Sequence, residues 1–138
     1  MRLSSHLSCY ALLTGWGNTI AGSITGKTSD ILQELHVNEV PFQECKRIWK
    51  SKQAIDLIPS HMCANGTMEF SGSCKGDSGG PLVREPDFMQ VFELAGVVSF
   101  GISTCGNGDY PLGFTRIDGE INLWLRKLVG RELPIHPK

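Results

Sequence analysis

Gly76-Asp77-Ser78-Gly79-Gly80-Pro81 is the stretch on which the reading of this chain turns. A serine serves as a nucleophile only when its hydroxyl is exposed on a tight turn, beside main-chain N–H groups that can hold an oxyanion. The glycines flanking Ser78 let main chain approach a substrate carbonyl closely, and Gly76 can turn its N–H inward beside that of Ser78. A serine among glycines is by itself an ordinary turn, so its surroundings carry the weight. Cys74 lies four residues before Ser78. Downstream come Ser99-Phe100-Gly101 at the end of an apolar run, then Cys105, then Pro111-Leu112-Gly113-Phe114-Thr115-Arg116. Upstream, Tyr10 to Thr14 is a short apolar run stopped by Gly15-Trp16-Gly17-Asn18, the pattern of a strand and a turn.

Between these marks the chain reads mostly as strand and turn. Residues 18–30 carry glycine, serine and threonine with little hydrophobicity, as an exposed loop does. In residues 31–40, Leu32, Leu35, Val37 and Val40 alternate out of strict register, which predicts a bulged strand. Pro41-Phe42 opens a brief helical stretch through Trp49, since proline is tolerated in a first helical turn. Residues 70–80 are glycine-rich. Pro81-Leu82-Val83 and the run from Val91 to Phe100 are apolar strands, and Phe114 to Ile117 a last short one. From Asp118 the apolar residues Ile121, Trp124, Leu125 and Leu128 recur at i, i+3, i+4 and i+7. That spacing predicts a terminal amphipathic helix with Asp118 as N-cap and Gly130 as its stop. The tail, with two prolines, is expected to be poorly ordered. No repeat, low-complexity tract or linker interrupts the chain, so one domain is expected.

Composition limits the alternatives. At 138 residues, 41% hydrophobic and 20% charged, the chain has ordinary globular usage rather than that of a disordered segment. It suits one modest domain and falls short of the roughly 200–250 residues that two-barrel all-β enzymes need. Its 16 glycines point to many tight turns. A formal charge of −1 gives no electrostatic argument for a nucleic-acid or anionic-membrane partner. No apolar run reaches the ~18 residues of a membrane span. Cys9, Cys45, Cys63, Cys74 and Cys105 form no C-x-x-C knuckles, and His61-x-Cys63 is the only close Cys/His pair. Zinc is therefore disfavoured, and no metal or cofactor is implied. Disulfides with one cysteine left over fit better and imply an oxidising compartment. The apolar stretch near Met1 is interrupted by Ser, His and Cys and runs straight into Thr14-Gly15-Trp16-Gly17, so it makes no convincing signal peptide.

In their order along the chain, Thr14-Gly15-Trp16-Gly17-Asn18-Thr19, Gly76-Asp77-Ser78-Gly79-Gly80-Pro81, Ala95-Gly96-Val97-Val98-Ser99-Phe100-Gly101 and the Trp124-bearing helix resemble the trypsin-like, chymotrypsin-fold serine endopeptidases. The resemblance runs from about Cys9 or Tyr10 to Val129, and it matches only the second β-barrel and terminal helix of that fold. It implies an all-β chain: the C-terminal antiparallel barrel over about 9–117, the helix over about 118–130, and the tail 131–138. Residue by residue, it makes Ser78 the nucleophile and the N–H groups of Gly76 and Ser78 the oxyanion donors. Asp77 becomes the carboxylate that pairs, in activated members, with the ammonium released by zymogen cleavage. It also implies the disulfides Cys45–Cys63 and Cys74–Cys105, and secretion. Cys9 lies near a family cysteine whose partner would follow Pro81, where Val83 and Arg84 stand instead. Cys9 is then free or bonded to another chain. Asn65-Gly66-Thr67 is an N-glycosylation sequon beside the expected pocket rim.

The resemblance also reads the specificity pocket. Gly72, six residues before Ser78, takes the pocket base, where trypsin-like members place the Asp that anchors Arg or Lys. Aligning Pro111 and Phe114 on the family pattern puts Leu112 where a glycine usually keeps the pocket open. Leu112 is expected to fill the pocket, favouring small apolar side chains or excluding all of them, unless Gly113 lets the strand bulge and carries Leu112 away. Ser99, Phe100 and Gly101 match the strand that pairs with substrate backbone, although Phe100 can equally be a core aromatic.

The family's general base and its orienting carboxylate come from the first barrel, in Ala-His-Cys and Asp-Ile/Leu-Ala-Leu contexts, and neither string occurs here. The four histidines, His6, His36, His61 and His136, stand in no such context. The activated N-terminus of the Ile/Val-Val-Gly-Gly type is also missing. The expectation is thus the C-terminal half of a serine endopeptidase, truncated and inactive alone. Its partners would be a peptide or protein substrate, or a protein covering the barrel interface. The alternatives are a non-catalytic binding module and a truncated product with no separate function.

Overall fold

The computed structural model describes residues 10–23, 25–84, 92–106 and 108–129. The expectations for Cys9, the leader-like start, Gly130 and the tail fall outside the described residues. The elements are β1 (Tyr10–Gly15), β2 (Gln33–Val40), α1 (Phe42–Gln53), β3 (His61–Gly66), β4 (Pro81–Arg84), β5 (Glu93–Phe100), β6 (Leu112–Arg116) and α2 (Gly119–Val129). The strands close into one antiparallel barrel in the order β1-β2-β3-β6-β5-β4. The fold class is therefore the all-β one expected, with a C-terminal helix.

Alternation along the strands sorts their side chains between an interior and an outer face. Ala11 and Leu13 of β1, Val37 of β2, Met62 and Ala64 of β3, Leu82 of β4, Val98 of β5 and Phe114 of β6 meet inside the barrel. A second cluster forms on the outer face, where Val40 and Cys63 receive Cys45 and Trp49 of α1, together with Leu57. Two cores explain two departures from the sequence reading. β2 pairs with β1 and β3 in unbroken register and carries no bulge. Its pattern breaks because Val37 serves the barrel interior while Val40 serves the helix. β3 has no counterpart in the sequence reading at all. Met62, Cys63 and Ala64 are all buried, so alternation is hidden, and Asn65-Gly66 reads locally as a turn.

The bulges lie on β5 instead. Register shifts between Leu82 and Val83 on its β4 side, and between Val98 and Phe100 on its β6 side. The second shift leaves Ser99 without an opposite residue, a device that commonly re-aims a strand beside a functional site.

α1 runs four residues further than Trp49, to Gln53. Its buried positions, Cys45 and Trp49, are spaced i, i+4 and face the barrel. The disulfide Cys45–Cys63 staples that face to β3. Lys50 and Lys52 sit in the last turn, where the helix dipole favours cations. Ala54 ends the helix in the left-handed region (φ 55°) and donates its N–H to the Lys50 carbonyl. In α2, the Asp118 carbonyl accepts from Ile121 and Asn122, while its carboxylate faces Arg116 Nε at 3.7 Å. α2 buries none of its residues. At the ends of β4 and β6, Glu39 receives Arg84 at 2.8 Å and Arg116 at 2.9 Å, joining three strands across the surface.

Candidate active site

The segment preceding β4 is built from two turns. Asp77 donates its N–H to the Cys74 carbonyl at 3.0 Å, and Gly76 stands third in that turn at φ 105°. A positive φ at that position marks a type II turn and calls for glycine. In the next turn Gly80 donates to the Asp77 carbonyl at 2.9 Å. Ser78 lies exposed as the second residue of this turn.

Clamps on both sides hold the segment. On one side the Asp77 carboxylate accepts the Gly17 N–H at 2.7 Å and the Cys74 N–H at 2.8 Å, both charge-assisted bonds. Asn18 donates to the Lys75 carbonyl at 3.0 Å alongside. A Cβ added to Gly15 or Gly17 would run into the Asp77 carboxylate, so both glycines of Gly15-Trp16-Gly17 exist to admit it. On the other side Gly79 donates to the Val98 carbonyl at 3.0 Å, and Val98 donates back to Gly80 at 2.9 Å. The disulfide Cys74–Cys105 fixes the start of the segment. Among the described residues, the N–H groups of Gly76 and Ser78 donate to no protein acceptor.

Beside Ser78 opens a cleft of about 580 Å³ that brings Ser99, Phe100 and Gly101 together with it. Phe100 serves two surroundings at once. Its ring packs edge-on against Trp49 and tilted against His61, each at 5.1 Å, while the residue lines the cleft. Lys75, Ile102 and Ser103 also line it and were not foreseen. Their only signal was closeness in sequence to the residues that were. No histidine and no carboxylate lines this cleft among the described residues. His61 instead accepts the Ile58 N–H on Nδ1 at 3.3 Å, and His36 lies in β2.

Gly72 and Leu112 lie against each other. A Cβ on Gly72 would stand 3.1 Å from Leu112 Cδ2. Between Ser73, Gly101, Pro111 and Leu112 a space of about 20 Å³ remains, enough for about one water. Gly113 does not carry Leu112 away: Leu112 stays in register opposite Ala64 of β3, and a Cβ on Gly113 would run into the Phe100 ring. Asn65 does not line this space. It lines an adjoining groove with Met68 and Phe70, which shares Ser71, Thr104, Gly106, Tyr110 and Leu112 with it. Among the described residues no three His, Cys, Asp or Glu side chains gather as a metal cluster, and no helix is long and apolar enough to cross a membrane.

Melanization protease 1 of Drosophila melanogaster is 35% identical over 121 residues, spanning 86% of this chain and 28% of that protein. Phenoloxidase-activating factor 1 of Holotrichia diomphalia is 37% identical, over 82% of this chain and 28% of its own length. Trypsin-1 of Astacus astacus is 35% identical, over 83% of this chain and 44% of its own length. The chain thus spans less than half of each of these relatives. Among solved structures, neuropsin, a serine protease expressed in the limbic system of mouse brain, superposes with a TM-score of 0.69 at 26% identity, covering 94% of this chain and 52% of that one. The trypsin family model matches residues 4–125, and the chain belongs to the trypsin family of serine proteases.

Proposed function

We propose that this chain is the C-terminal half of a serine endopeptidase, carrying nucleophile, oxyanion donors and substrate strand, and that it has no useful turnover by itself. The observation that supports this reading is Ser78, held exposed between two clamps in a cleft where no histidine or carboxylate stands among the described residues. In the family reaction the serine Oγ bonds to the peptide carbonyl carbon while its proton passes to a base. The oxyanion so formed would accept the N–H groups of Gly76 and Ser78. Collapse expels the amine, which takes the proton, and leaves an acyl group on Ser78 that water removes by the same steps. Among the described residues, no histidine or carboxylate lines the cleft to accept the first proton. Loss of the base costs about 10⁶-fold in turnover in a well-studied serine protease. The Asp77 carboxylate, occupied here by two main-chain N–H groups, is the group that an activating ammonium would reach.

The substrate is a peptide or protein whose backbone adds to Ser99-Phe100-Gly101. Gly72 and Leu112 restrict its primary side chain to glycine or a small apolar residue. The two disulfides support an extracellular setting. The test is a fluorophosphonate probe on the purified chain. Slow labelling that Ser78→Ala abolishes fits the proposal; rapid stoichiometric labelling overturns the claim of inactivity.

The closed pocket favours a second reading, a non-catalytic module that binds a protein partner through the barrel interface. Mixing the chain with a first-barrel fragment of the family and assaying small-apolar peptide esters separates the two. Turnover supports the enzyme half, and a stable complex without turnover supports the module.

A further inference from the structure

A groove of about 720 Å³ shares Leu112 with the closed pocket but does not include Ser78. Asn65 stands exposed at its edge, and alternation along β3 explains why. Met62 and Ala64 enter the barrel interior, Cys63 turns outward to Cys45, and Asn65, two residues on, shares that outer face. The residues after it are locked in place. A Cβ on Gly66 would run into Ser71 Oγ. Thr67 donates both its N–H and its Oγ1 to the His36 carbonyl, at 3.0 Å and 3.1 Å. The Asn-Gly-Thr sequon therefore presents its acceptor amide on a fixed corner of the surface. Two disulfides indicate maturation in the oxidising compartment where such acceptors are used.

The same groove holds an uncovered apolar wall. Met68 and Phe70 are each 65% exposed. Phe70 is held at φ 57°, in the left-handed region that an aromatic residue rarely adopts. An exposed apolar patch of this kind calls for a cover, and the acceptor beside it supplies one.

We propose that Asn65 carries an N-linked oligosaccharide whose first N-acetylglucosamine units lie in this groove. The C–H face of a pyranose ring covers Met68 and Phe70, and its hydroxyls face Glu69 and Thr104 at the polar edge. The donor is a lipid-pyrophosphate oligosaccharide. The bond between Asn65 Nδ2 and the anomeric carbon forms as the carbon–oxygen bond to pyrophosphate breaks, and the amide gives up one proton. The assignment is independent of whether Ser78 is active.

The full chain, expressed behind a secretory leader in eukaryotic cells and read on the total cell pool, gives the test, so that chains retained inside the cell count equally. The expected result is a wild-type chain heavier than Asn65→Gln, a difference retained in Thr67→Ser and erased by peptide-N-glycosidase. Removing the sugar from the folded wild type then speeds amide exchange across residues 66–71 roughly tenfold and raises binding of a hydrophobic dye. Equal masses for wild type and Asn65→Gln overturn the proposal. A glycan whose removal leaves exchange and dye binding unchanged overturns its seat in the groove.

Discussion

With Leu112 Cδ2 lying 3.1 Å from where a Gly72 Cβ would stand, Leu112 occupies the space that the proposed pocket would offer a substrate side chain. Replacing Leu112 with glycine reopens it. In a chain complemented with a first barrel, Leu112→Gly is expected to shift the kcat/KM ratio toward larger apolar residues by roughly 10–200-fold, measured on peptide esters. Unchanged selectivity would show that Leu112 does not set it. Gly17 makes a similar point about space. Its missing side chain is what lets the Asp77 carboxylate reach two N–H groups. Gly17→Ala forces that carboxylate aside and is expected to cost about 1–3 kcal/mol, read from urea unfolding. At this scale the Ser78 segment with Asp77 was legible as a motif, while the pairing of the cysteines and the contact of Gly72 with Leu112 followed only from the family resemblance. The purpose of Gly15 and Gly17 was not, because the group they admit lies sixty residues away. Nor was the backbone of Phe70, which no feature of its own sequence requires.

Elements were legible where one face alone met a core. β1 and β4 fit that description, and the terminal helix showed its period. β2 was legible as a strand but not in its unbroken register, and β3 not at all, since each feeds the barrel interior on one side and the α1 cluster on the other. Trp49, 1% exposed, fills the centre of that outer cluster. Trp49→Ala is expected to cost about 3–5 kcal/mol in chemical denaturation, a large share of what a domain this size has to lose. Removing the Cys45–Cys63 staple is expected to cost about 2–4 kcal/mol by the same measurement. Charge at the end of α1 adds an acid-side effect. The Lys46 hydrogen bond, then the charges of Lys46 and Lys50, hold the Asp56 carboxyl below its ordinary 3.8. A depressed folded pKa stabilises above the unfolded value, and the contribution disappears as pH falls through the folded one. Thermal melts of Asp56→Asn and wild type should therefore differ slightly near neutrality and converge as acid protonates the carboxyl in the folded state as well. The pair is solvent-exposed, so the difference is small.

At the scale of the whole molecule, α2 carries an exposed apolar surface. Leu123, Trp124 and Leu128 are 60%, 59% and 64% exposed. A face of this kind drives association. Sedimentation of the purified chain should show self-association that rises with concentration and falls in a Trp124→Ser/Leu128→Ser variant. A chain monomeric throughout the range would contradict this. Family, strand-and-turn character, the glycine-rich turns around Ser78 and the terminal helix could all be read along the chain, because each rests on residues adjacent or periodically spaced. Which core a strand residue serves, whether the specificity pocket is open, and what occupies the Asp77 carboxylate could not. Those depend on closures such as Gly17 to Asp77 and Gly72 to Leu112, where barrel curvature brings distant positions within one atomic radius of clashing. Local pattern carries no measure of that distance; only the closed barrel sets it.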